Sequence, residues 1–124
     1  MIILKSAQEI ALIARASRVV ALTIAFLRER VKPGVTTADL DRLAEEFIRR
    51  EGGSPAFKGY RGFPATLCTS VNEEVVHGIP SSKKWLQEGD IIGVDVGAIV
   101  EGYYGDAAVT LPVGRISDEA SRLL

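Results

Sequence analysis

Asp95 and Asp106 lie eleven residues apart in GDIIGVDVGAIVEGYYGDAAVT (89–110). Asp95 interrupts Ile91-Ile92-Gly93-Val94-Asp95-Val96, and Asp106 precedes Ala107-Ala108-Val109-Thr110-Leu111. Both runs are short, apolar and rich in β-branched residues, which predicts strands. Aspartate is depleted in strands and rarely buried unless it is paired or binds a metal. Glu101-Gly102 is suited to a two-residue hairpin turn between them. With those residues central, Asp106 faces Gly97 and Asp95 lies one diagonal step away on the same face. With Val100-Glu101 central, the two aspartates are directly opposite. Either turn brings the side-chain stems within roughly 5 to 8 Å, whereas an odd-length loop without a bulge would send them to opposite faces. Carboxylates that close repel each other, and burying them costs several kcal/mol per charge. A divalent cation relieves both problems, since two carboxylates on adjacent strands can chelate one ion or bridge two and activate a water. Gly93, Gly97 and Gly105, on or near that face, leave room for an ion and a substrate. An aspartate at a strand end is also an ordinary turn residue, so this geometry alone leaves open both a metal site and a pair of hydrogen-bonded or solvated acids.

Two helices precede the hairpin. Ser6-Ala7-Gln8-Glu9 has the form of a capping box, and Ile10, Ile13, Ala14, Ser17, Ala21, Ile24 and Val31 follow at helical spacing. With Leu12, Val19, Val20 and Leu27 the apolar face is broad, so a largely buried helix is expected over about 7–31, ended by Lys32-Pro33-Gly34. Thr36 or Thr37 caps a second helix, in which Leu40, Leu43, Ala44, Phe47 and Ile48 form one stripe. Acids come early in it, Arg49-Arg50 come last, and Gly52-Gly53 ends it. SPAFKGYRGFP (54–64) reads as a loop, ATLCTSV (65–71) as a strand, and residues 86–90 as a turn into the Asp95 strand. Ser117-Asp118-Glu119 starts a further helix, and the close on Leu123-Leu124 resembles a chain cut at an element boundary.

The 124 residues are one domain's worth of chain, with 25% charged residues and a net charge of −1. That balance gives no electrostatic case for nucleic acid or an anionic membrane. Arg15 and Arg18 argue against the apolar window around them being a membrane span. A lone cysteine, Cys68, excludes an internal disulfide, and the N-terminus lacks a signal peptide's features, so a cytoplasmic protein is expected.

FKGYRGFPATLCTSVNEEVVHGIP (57–80), followed at its proper spacing by the 89–110 segment and preceded by KPGVTTADLD, closely resembles the type I methionine aminopeptidases over nearly the whole chain. The resemblance implies half of a pita-bread fold of the α/β (α+β) class, with residues 1–124 as a single domain: two long helices on an antiparallel sheet that contains a metal-site hairpin. It implies removal of the N-terminal methionine from nascent peptides at a centre of two divalent ions (Co, Mn, Fe, Zn or Ni). Asp95 and Asp106 match the family's metal ligands, with Asp106 bridging. His77 matches the histidine that contacts the scissile amide and steadies the transition state. Tyr60, Phe63 and Cys68 match the methionine side-chain pocket. Family members run about twice this length, and their remaining ligands, one histidine and two glutamates, lie in the second half. Glu73, Glu74 and Glu101 do not stand in the contexts the family uses for them. The missing side of the site is therefore expected from an absent C-terminal half or from a second copy of this chain; a non-catalytic interaction domain is the alternative.

Overall fold

The computed structural model describes residues 6–72 and 78–122. The first helix, α1, spans Ala7–Arg28, and its capping box forms as expected: Ser6 Oγ accepts from the Glu9 N–H and Glu9 Oε1 from the Ser6 N–H, both at 3.1 Å. It ends three residues before the expected limit, and it is much less buried than its apolar face suggests. Only the stripe Ala16, Val19, Val20, Thr23 and Leu27 is buried, while Ile10 and Leu22 are exposed. By length and composition alone α1 could cross a membrane; here its buried stripe packs against the sheet and the second helix. That helix, α2, spans Thr37–Arg50, with Thr36 as its cap in a second reciprocal box with Asp39.

The sheet is antiparallel throughout and centres on β3. Its strands are β1 (Ser54–Pro55), β2 (Leu67–Val71), β3 (Ile91–Val100) and β4 (Tyr103–Pro112). β4 pairs with the whole of β3, whereas β2 pairs with Ile92–Val96 and β1 with Ala98–Ile99. β1 carries no sequence signal of its own, being two residues inside an expected loop. β2 starts two residues later than expected, and the hairpin strands extend beyond their apolar runs, so that both aspartates lie inside strands. A single-turn helix, α3 (Asp118–Ser121), follows.

The core lies between the helices and one face of this sheet. Ile92, Val94, Val96, Ala98 and Val100 alternate along β3 and are buried with Leu67 and Val71 of β2 and Leu111 of β4. They meet Val19, Val20 and Leu27 of α1 and Leu40, Ala44 and Ile48 of α2. Gly105 marks the closest approach of helix to sheet, since a Cβ there would stand 2.7 Å from the α1 backbone at Ala16 and Ser17.

Candidate metal centre

The β3–β4 turn fixes the position of both aspartates. Val100 pairs with Tyr103, which leaves Glu101 and Gly102 as the two turn residues. Both are left-handed, at φ 50° and 85°, as a type I′ turn requires and as the twist of the strands favours. In the resulting register Gly97 faces Asp106 and Asp95 faces Ala108. This is the first of the two registers open to the sequence. Both carboxylates stand on the face away from the helices, one diagonal step apart, within roughly 7 to 8 Å at the backbone. The alternation that buries Val94 and Val96 puts Asp95 on that open face.

Around the aspartates the open face carries Cys68 and Ser70 from β2, Gly93 and Gly97 from β3, and Tyr104, Ala108 and Thr110 from β4. Two concavities of about 300 Å³ each lie there. One is lined by Ser70, Gly93, Val94, Asp95, Ala108, Val109 and Thr110. The other, more apolar, is lined by Ala56, Phe57, Tyr60, Tyr104 and Asp106. Each aspartate therefore opens on its own hollow. Gly97 makes the second one possible: a Cβ there would stand 3.0 Å from the Phe57 ring.

Of the residues expected at the site, Asp95, Asp106 and Tyr60 come together on this face. Cys68 pairs directly across from Asp95. Burial pushes its thiol pKa up, and the negative charges of Asp95 and Asp41 add to the shift. Phe63 is half-buried in the Tyr60 loop, where its N–H donates to the Tyr60 carbonyl at 3.0 Å, and it does not line the Asp106 hollow. His77, Glu73 and Glu74 lie outside the described residues. The described chain resumes at Gly78, whose carbonyl accepts from the Thr69 N–H of β2 at 3.0 Å. Phe57 and Tyr104 were not singled out from the sequence. Tyr104 was within reach of it, because residues two apart on a strand share a face and Tyr104 stands two before Asp106.

Two same-face carboxylates suit a hard divalent cation as oxygen ligands. Among the described residues no group of three or more His, Cys, Asp or Glu side chains could hold a metal ion. The donor set thus fits one side of a metal site.

The chain is similar to known proteins in sequence and in fold. Methionine aminopeptidase of Clostridium acetobutylicum is 57% identical over all 124 residues, and methionine aminopeptidase 1 of Bacillus subtilis is 52% identical over the same length. The crystal structure of methionine aminopeptidase from Thermotoga maritima superposes with a TM-score of 0.93 at 44% identity, over 99% of this chain and 49% of that one. The chain spans about half the length of the curated relatives it matches. Its match to this architecture identifies the fold as half of a pita-bread fold. The model for metallopeptidase family M24 matches residues 11–124, and the chain belongs to that family.

Proposed function

We propose that this chain supplies one side of a methionine aminopeptidase active site, which hydrolyses the bond after an N-terminal methionine. The observation that carries the reading is the hairpin register, which sets Asp95 and Asp106 on one open face beside an aromatic hollow, in a chain whose relatives are named methionine aminopeptidases. Asp95 and Asp106 would both hold divalent metal, two ions in the complete site. A bound ion of this kind supplies a water that ionises near neutral pH. The chain's own residues do the rest. Phe57, Tyr60 and Tyr104 offer an apolar, aromatic wall that suits a thioether side chain, with Phe63 and Cys68 in the surrounding loop and strand. His77 would donate to the developing charge or the leaving nitrogen. The remaining ligands come from a second half or a second copy of the chain.

The test is release of free methionine from a Met-Ala-Ser peptide in Mn²⁺ or Co²⁺. It is run with the chain alone and with the chain mixed with the C-terminal half of the Clostridium acetobutylicum relative. Release on mixing, lost with EDTA and in Asp106→Asn, is the expected result. The same release from the chain alone would mean that a second copy completes the site. No release under either condition would sink the reading.

A further inference from the structure

The wall of the Asp106 hollow stands on a segment that the sheet holds at its ends only. Ala56 donates its N–H to the Gly97 carbonyl at 3.0 Å, and the chain then leaves the sheet until β2 begins at Leu67. Gly59, Arg61 and Gly62 are all left-handed in between, at φ 85°, 50° and 80°. Within the loop the backbone bonds are local, from the Gly59 N–H to the Phe63 carbonyl and from the Tyr60 N–H to the Phe57 carbonyl. A loop of this kind opens easily unless side chains fasten it elsewhere.

Helix α2 provides the fastening. Lys58 Nζ donates to Glu45 Oε1 at 2.6 Å, and Thr66 Oγ1 donates to the same oxygen at 3.2 Å. The other Glu45 oxygen accepts from Arg49 Nε at 3.1 Å, which fixes the carboxylate's orientation. One turn earlier, Asp41 Oδ1 accepts from the Thr66 and Leu67 N–H groups at 2.9 and 2.7 Å. Asp41 and Glu45 thus grip the loop near its start and at its end. Lys58 directly follows Phe57, so its tether to α2 holds the backbone that carries the Phe57 ring over Gly97.

We propose that Glu45 and Asp41 are positioning residues that clamp the 57–66 loop to α2 and so keep Phe57 and Tyr60 in place as the wall beside Asp106. Recognition of the substrate's first side chain is then set in part from α2, on the far side of the loop from the metal face. The clamp stands on the hydrogen bonds alone; its bearing on methionine peptides rests on the function proposed above.

The test uses the ¹⁵N-labelled 124-residue chain with Lys58→Met, Glu45→Gln and the double variant. Amide relaxation reports order at Phe57, Gly59 and Gly62, and titration with Met-Ala-Ser peptide in Mn²⁺-free buffer reports binding at the same amides. Both single variants are expected to loosen the loop, to leave β3 and β4 amides unchanged, and to weaken the peptide about fivefold. The double variant should be no looser than the worse single one, because both remove the same contact. Unchanged loop order in both singles would overturn the clamp. So would loosening that spreads through β3 and β4, which would make the contact one of general stability. If the wild-type chain shows no peptide response while the variants still loosen the loop, the clamp stands and its role in peptide binding is overturned.

Discussion

Consecutive residues of β3 belong to two different environments. Val94 and Val96, at 2% and 0% exposure, are sealed in the core beneath the helices, while Asp95 between them faces outward with Gly93 and Gly97. β4 repeats the division, with Leu111 buried and Asp106 exposed. The covered face is aliphatic and filled by both helices. The open face carries acids, glycines and aromatics, and no described element packs over it as the helices pack over the other. Because strand side chains alternate with a period of two, one hairpin can carry a core and a site without either compromising the other. The same alternation means that neighbouring substitutions should have opposite consequences.

Val96→Asp is expected to have the largest effect. A lone charge in the sealed layer costs on the order of 3 to 5 kcal/mol, much of the total stability of a domain this size. Circular dichroism should show a chain largely unfolded at 25 °C. Asp95→Val, one residue away, should leave the thermal midpoint of the metal-free chain within a few degrees of wild type. Equal damage from both would break the two-face description.

Gly105→Val sharpens the contrast within β4. The added side chain meets the α1 backbone rather than a yielding side chain, so helix and sheet must separate at about 1 to 3 kcal/mol. Ala108→Val, on the open face, should change stability by no more than about 0.5 kcal/mol. Urea titrations of the two variants measure the difference.

The smallest effect concerns pH. Hydrogen bonding from Lys58 holds the Glu45 carboxyl below its ordinary value of 4.5, with Arg49 adding to the shift, although burial opposes it. A carboxyl lowered on folding contributes stability above its unfolded value and loses it as the pH falls through the folded value. Wild-type chain should therefore lose slightly more stability than Lys58→Met between about pH 5 and pH 3. Superimposable acid-unfolding curves would show that the pair contributes nothing.

Much of this was legible in the residues, for identifiable reasons. Both helices announce themselves through capping boxes and apolar stripes, and the hairpin register follows from Glu101-Gly102 once the turn length is chosen. What failed to show depends on how separate segments meet. β1 is two residues long and too short for any periodicity, yet it aims the chain so that Phe57 covers Gly97. The breadth of the apolar face of α1 suggested burial on most sides, but the sheet covers a single stripe and leaves Ile10 and Leu22 outside. That Phe57 joins Tyr60 at the Asp106 hollow could not be read from a loop of left-handed turns, because its path is set by Asp41 and Glu45 on a different element.

The central claim is that Asp95 and Asp106 act together as one side of a divalent-metal site. Thermal unfolding of the wild-type chain, Asp95→Asn and Asp106→Asn, each with and without Mn²⁺, tests it most directly. Stabilisation by a ligand of the folded state reaches about 2.7 kcal/mol at a hundredfold excess over Kd. The account predicts a metal-dependent rise in Tm for the wild-type chain that is lost in both variants, with all three metal-free proteins alike. An equal rise in all three, or none in any, would contradict it.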